Sequence, residues 1–462
     1  MSEREFLGLQ EIWGPIVIVE TSRGIGSEEM VEIYLPSGER RLGKVLRLKE
    51  DMCFVQVFGG TKDLSPHNTT LRFLGRPFLF TVSEDMLGRI FDGKGKPIDG
   101  GPPIYRGERL NVNGYAINPQ AREYPDEFIQ TGISAIDGLN SITRGQKIGM
   151  FSGAGLPHNK IVAQLLRQAE ILKKEEPFCV ILAGIGLKRE EMQFFIESFR
   201  SSEQVLRSVM FLNLADDPPE ERILTPRLAL TLAEYLAFHK EFHVLVILTD
   251  MTNYCQALRE ISSFREEVPS RKGYPGYMYT DLASLYERTG RIKGKKGSIT
   301  QIPVLTMPNM DITHPIPDLT GYITEGQIVL SLVLHQRGIY PPIDILPSLS
   351  RLMKDGIGEN KTREDHVNLA SQLYYSYARS KEAQNLASII GEEELSPVDK
   401  SYLEFGRVFE REFINQGFEE NRSIEETLKL GWKTLRVLPK KELTRLTKEE
   451  IDKFYFYYNG RI

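Results

Sequence analysis

Six compact apolar runs punctuate the middle of the chain: KIGMF (147–151), FCVILAGI (178–185), VMFLNL (209–214), HVLVIL (243–248), IPVLTM (302–307) and IVLSLVL (328–334). Each has the length of a strand, and none alternates apolar with polar, so neither face of their sheet is expected to meet water. Between several of them lie stretches of helical length. One places Ile161, Val162, Leu165, Leu166, Ala169 and Leu172 on a single broad face. Continuous apolar strands alternating with such helices predict a parallel sheet covered on both sides, with ligands bound at the ends of its strands.

The flanks have other rhythms. Up to about residue 75, short β-branched or alternating runs (GPIVIVE, EEMVEIYLP, MCFVQVFGG) are separated by turn material such as PSGERR, which predicts a small barrel or sandwich. From about 351 onward, DHVNLASQLYYSYARSKEAQNLASII and SPVDKSYLEFGRVFEREFINQ carry apolar residues at spacings of three and four, the pattern of a helical bundle. At 462 residues the chain exceeds one ordinary core. It reads as an α/β multidomain protein divided at 1–75, 76–350 and 351–462. A net charge of -5 gives no support to a nucleic-acid partner. Cys53, Cys179 and Cys255 are far apart and fit neither a metal spacing nor a secreted disulfide framework, so a reducing cytosol is expected. The charged N-terminus lacks a signal-peptide core, and no apolar run approaches the ~20 residues of a membrane span.

The first of the six runs leads into IGMFSGAGLPHNKIV (148–162). Strand, small-residue turn and helix follow one another as in a phosphate-binding loop of pattern G-x-x-x-x-G-K-S/T, whose lysine reaches the outer phosphates and whose hydroxyl ligates magnesium. With Ser152 on the first glycine, Pro157, His158 and Asn159 fall on the second glycine, the lysine and the hydroxyl. Gly153 and Gly155 still permit a tight turn, and N–H groups at a helix start still favour an anion. Pro157, however, supplies no N–H, and Lys160 lies two places past the lysine slot. Taken alone, the loop reads more economically as a glycine turn than as a nucleotide site.

Three further positions could carry chemistry. Asp250 ends the run HVLVILTD, where an acid can hold magnesium through water or cap the following helix; the cap is the preferred reading. Leu187 stands straight after Gly186, where a hydrolytic relative needs a carboxylate base, while Glu190 and Glu191 read as solvated acids of a first helical turn. Arg351 follows the proline- and serine-containing stretch YPPIDILPSLS, read as a loop at the seam of two domains. An arginine on a rigid turn can project across an interface into a neighbouring protein, although local sequence alone favours a surface arginine opening the next helix.

Together these segments resemble the B-subunit family of the V-type and A-type rotary ATPases. The resemblance rests on MLGRIFDGKGKPIDGGPP (86–103), GISAIDGLNSITRGQKIGMFSGAGLPHNKI, NLADDPPEERILTPRLALTLAEYLAF, SRKGYPGYMYTDLASLYERTGR, PNMDITHPIPDLTGYITEGQI and PPIDILPSLS, and it spans nearly the whole chain. It extends no role to the lysine or arginine of LAGIGLKREEMQFF.

The resemblance implies an N-terminal β-barrel collar, a RecA-like middle with a degenerate P-loop, and a C-terminal helical domain facing the rotor. It implies a non-catalytic subunit that alternates with catalytic A subunits in an A3B3 head and couples ATP synthesis or hydrolysis to H⁺ or Na⁺ transport. Arg351 falls on the family's arginine finger, with Ser348 and Ser350 in the interface loop before it. Gly153, Gly155, His158, Asn159, Lys160 and Asp250 form a weak or vestigial nucleotide site. No tightly bound cofactor and no metal ligand of its own are expected; ATP or ADP would lie at the interface between subunits, with Mg²⁺ held mainly by the partner. Implied partners are the A subunit, the central-stalk rotor and a peripheral stalk near the barrel, on the cytoplasmic side, with membrane contact only through the complex. A self-sufficient hexameric P-loop ATPase would need the lysine and the base, and a Rho-like translocase would need an aromatic-basic segment.

Overall fold

The computed structural model describes residues 4–20, 24–49, 51–172, 175–200, 205–265 and 267–455. The N-terminal unit is an antiparallel sheet of seven strands: β1 (Arg4–Leu7), β2 (Glu11–Trp13), β3 (Ile16–Glu20), β4 (Met30–Tyr34), β5 (Arg40–Lys49), β6 (Met52–Val57) and β7 (Thr70–Phe73). Their order is β1-β7-β4-β5-β6-β3-β2, giving the β-barrel unit expected. Its core takes Val17, Val31, Ile33 and Val55 from the runs read as strands, joined by Val45 and Leu71, all buried.

The middle is built on β8 (Ile90–Asp92), β9 (Gly149–Gly153), β10 (Phe178–Leu187), β11 (Ser208–Leu214), β12 (His243–Thr249), β13 (Ser298–Met307), β14 (Gly326–Leu330) and β15 (Ile343–Ser350), in the order β15-β14-β9-β13-β12-β10-β11-β8. All neighbours along this path are parallel except β14 and β15. Helices α1 (His158–Gln168), α2 (Arg189–Arg200), α3 (Pro219–Lys240) and α4 (Met251–Phe264) alternate with the strands. Because successive side chains of a strand point to opposite faces, β10 sends Val180 and Leu182 into one core and Ile181 and Ala183 into another. That double burial explains why the runs are continuously apolar.

The C-terminal unit contains α5 (His366–Ile390), α6 (Pro397–Val408), a π-helical turn at Phe409–Ile414, and α7 (Ile424–Leu435). Its buried Leu369, Tyr377 and Trp432 belong to the same core as Met150 and Leu245 of the sheet.

Three local expectations are corrected. Leu172 is 41% exposed and lies beyond α1, whose C-cap is Ala169. The run IVLSLVL is not one strand: Ser331 accepts a hydrogen bond from the Leu334 N–H and starts a short helix at Leu332–Gln336. The stretch read as an interface loop is the edge strand β15, where Pro347 needs no ladder partner on its open side.

Candidate functional site

Strand β9 delivers Gly153 to the turn, Gly155 takes a left-handed φ of +81° in open space, and α1 starts at His158. Three N–H groups of the segment are spent internally. Leu156 N–H donates to the Gly153 carbonyl at 3.1 Å, His158 N–H to the Leu156 carbonyl at 2.9 Å, and Lys160 N–H to the Pro157 carbonyl at 3.1 Å. The side chains that replace the phosphate-binding pair also face protein. His158 Nδ1 lies 3.0 Å from Ser152 Oγ, and Asn159 Nδ2 donates to Glu191 Oε1 at 3.0 Å. Glu191 Oε2 accepts the Lys188 N–H at 2.9 Å, so this acid, expected to be solvated, is an anchor between α1 and α2.

Met310 comes down on the same turn: a Cβ built on Gly153 would lie 1.8 Å from its sulfur. Lys160 is exposed, and its side chain makes no hydrogen bond or ion pair with the described residues. A magnesium-bound triphosphate needs outward N–H groups, a lysine and a hydroxyl. The residues of this turn do not fit it.

Asp250 caps α4, as expected of the helix start. Its Oδ1 accepts from Thr252 N–H at 2.7 Å and Thr306 N–H at 3.2 Å, while Oδ2 accepts from Thr306 Oγ1 at 2.5 Å. A carboxylate holding three such donors is committed to joining β12, α4 and β13. Leu187, 3% exposed, ends β10 with no ionisable atom to offer. Thr306 and Met310 were not singled out from the sequence, and Glu191 was read there as a solvated acid rather than as an anchor. A polar residue inside the apolar run IPVLTM was the one signal that pointed to Thr306.

Arg351 is placed differently. Gly326 pairs with Ser350 across the β14–β15 ladder, and Gly149 lies beside Gln327. Arg351 therefore leaves the sheet level with residue 147, at the amino end of β9, whereas the altered loop follows the carboxyl end. At ~3.3 Å per residue the two levels are roughly 20 Å apart, beyond the reach of an arginine side chain. The structure does not bring Arg351 together with His158, Asn159 or Asp250. The guanidinium is exposed and makes no hydrogen bond or ion pair with any described residue.

Its main chain, by contrast, is fixed, with Arg351 N–H donating to the Glu325 carbonyl at 3.0 Å. Ser350 Oγ donates to the Ser141 carbonyl at 2.8 Å and accepts from Gln146 Nε2 at 3.0 Å. Ser348 Oγ accepts the Val329 N–H at 2.9 Å. Both serines thus stiffen the strand under the arginine. The charged head is thus free while the backbone that carries it is fixed.

Comparisons with known proteins agree along the length of the chain. Residues 9–75 match the beta-barrel domain of the ATP synthase alpha/beta family, residues 132–350 its nucleotide-binding domain, and residues 355–455 the C-terminal domain of V and A type ATP synthase. The chain is 58% identical over 455 residues to the V-type ATP synthase beta chain of Halothermothrix orenii, covering 98% of each. It is also similar to a solved structure, the ATP synthase subunit NeqB from Nanoarcheaum equitans. There the TM-score is 0.73 at 43% identity, over 91% of this chain and 98% of that one.

Proposed function

The chain belongs to the beta-chain (B-subunit) family of V- and A-type ATP synthases, and from that premise we propose that it is the non-catalytic member of an alternating A3B3 head. It lends Arg351 to nucleotide bound mainly by a neighbouring catalytic subunit. The observation that carries this reading is the separation of parts. The side chains in the chain's own lysine and hydroxyl slots are turned to protein, while its unpartnered arginine follows a braced edge strand at the other end of the sheet.

ATP, with magnesium held by the partner, would supply the phosphoryl group to water in hydrolysis, and ADP would accept it from phosphate in synthesis. This chain contributes a fixed positive charge that stabilises charge developing in transfer, worth ~10³ to 10⁵ in rate in other phosphoryl-transfer systems. Because the charge comes from across an interface, activity depends on how closely that interface is shut. A rotor acting on the C-terminal helices could therefore gate each site in turn and couple it to H⁺ or Na⁺ movement. The barrel would form the collar near a peripheral stalk, on the cytoplasmic side, with membrane contact only through the complex.

The test is assembly with a catalytic partner. Arg351→Ala should leave the alternating hexamer intact and lower its ATP turnover by ~10³ or more. Normal turnover in that head would overturn the assignment. The isolated chain should hydrolyse magnesium-ATP negligibly, and robust hydrolysis would instead favour a self-sufficient ATPase.

A further inference from the structure

The brace beneath Arg351 leads to an ion pair between a buried lysine and a half-buried glutamate. Lys147 is 4% exposed and stands at the foot of β9; its ammonium contacts Glu325 Oε1, with Glu287 Oε1 at 3.3 Å as a second acid. The pair is doubled by main-chain bonds. Lys147 N–H donates to Glu325 Oε2 at 2.7 Å, and Glu325 N–H donates to the Lys147 carbonyl at 2.8 Å. Glu325 in turn offers its carbonyl to Arg351 N–H at 3.0 Å and to Gln146 Nε2 at 3.3 Å. Gln146 thus holds Ser350 directly, and Gln146 and Lys147 together hold the main chain of Arg351 through Glu325.

We propose that Glu325, locked by the buried Lys147, is a positioning residue for Arg351, fixing the height and direction at which the guanidinium leaves the edge of the sheet. This rests on the reading of Arg351 as a group acting on a neighbour's nucleotide. Stability alone does not require a lysine to be buried against a half-buried acid here, since well-packed apolar residues often serve as well. What the pair adds is registry. It ties the turn before β14 to β9, two strands in from the edge, so the arginine cannot ride up or down with the edge strand. Transition-state contacts are sensitive to such placement: a shift of ~1 Å can cost on the order of 100-fold in rate.

The experiment uses the full chain assembled with its catalytic partner. Glu325→Gln keeps the side-chain volume and an acceptor for the Lys147 N–H but removes the charge facing the ammonium. It should lower kcat by about 10- to 100-fold while KM for ATP stays within about twofold, the signature of a contact made in the transition state. In an Arg351→Ala background, read by single-turnover phosphate release, the same substitution should cost nothing further. Glu325→Asp, which keeps the charge and shortens the reach, should lose several-fold and decides by the same comparison if the glutamine chain does not assemble.

An equal loss in both backgrounds would overturn the proposal, because Glu325 would then act through something other than Arg351. So would unchanged kcat in Glu325→Gln while Arg351→Ala abolishes turnover; that result would leave the arginine reading standing. Full turnover in Arg351→Ala would remove both.

Discussion

Asn159 puts an amide where a working loop has a hydroxyl, and that amide spans to Glu191 on the next helix. His158 likewise turns to Ser152 rather than outward. The lost functions were legible in the sequence because a P-loop is a spacing, and spacing survives in one dimension. The replacements were not, because Glu191 and Met310 come from segments 32 and 151 residues beyond Asn159. Met310 reaches Gly153 only through left-handed backbone at Asn309 and Met310, with φ of 56° and 58°, which no periodicity announces. Restoring the loop with Pro157→Gly, His158→Lys and Asn159→Ser together should tighten ADP binding to the isolated chain. Calorimetric titration should show about tenfold, or about 1.4 kcal/mol. Hydrolysis should stay negligible, since Leu187 still provides no base. Rapid turnover by the restored chain would show that a base lies elsewhere.

Edge strand β15 and the turn at Phe409–Ile414 show where whole elements escape sequence reading. YPPIDILPSLS carries turn residues, yet Ile343 and Ile345 point inward in alternation and Ser348 and Ser350 use their hydroxyls inside the sheet. Proline and serine signal a loop only when their backbone faces water on both sides; at a sheet edge one side is enough. The π-helical turn widens the end of α6 and buries Glu410 beneath α5. That carboxylate accepts from Tyr377 Oη at 2.8 Å, Lys381 Nζ at 2.7 Å and Arg337 Nη2 at 2.5 Å, the last from the turn before β15. Burial works to raise its pKa, but these donors outweigh it and hold it below the usual glutamate value. A depressed pKa stabilises the fold above the unfolded-state value near 4.5 and is lost as pH falls through the folded-state value. Glu410→Gln should therefore destabilise by about 3 kcal/mol at pH 7, seen as a lower Tm in thermal unfolding. The deficit should shrink on acidification towards pH 3.

At the scale of the whole molecule, the order barrel, sheet domain, helical domain follows from three rhythms that the spacing of apolar residues separates. How the units join does not, because the contacts are side-chain pairings far apart in sequence. Leu369 and Trp432 complete a core begun at Met150, and Asn113 reaches Glu28 of the barrel at 3.4 Å. In the cleft between barrel and α3 lies Glu220, 3% exposed, near Lys44, Asn113 and Arg227. The Gln56 carboxamide of β6 is its polar neighbour, yet neither carboxylate oxygen reaches hydrogen-bonding geometry with a described partner. Burial, with Glu221 and Glu260 adding to it, pushes its pKa from 4.5 up to about 7. The sign is opposite to that at Glu410. Between those two values the folded chain holds a proton that the unfolded chain has released, so stability is fully present below 4.5 and drains away as pH rises through about 7. The loss amounts to about 3 kcal/mol once both states are ionised. Glu220→Gln, which cannot ionise, should raise the Tm of barrel–sheet unfolding at pH 8 and leave it unchanged at pH 4. A gain of equal size at both pH values would mean that packing, rather than an uncompensated charge in the joint, sets the effect.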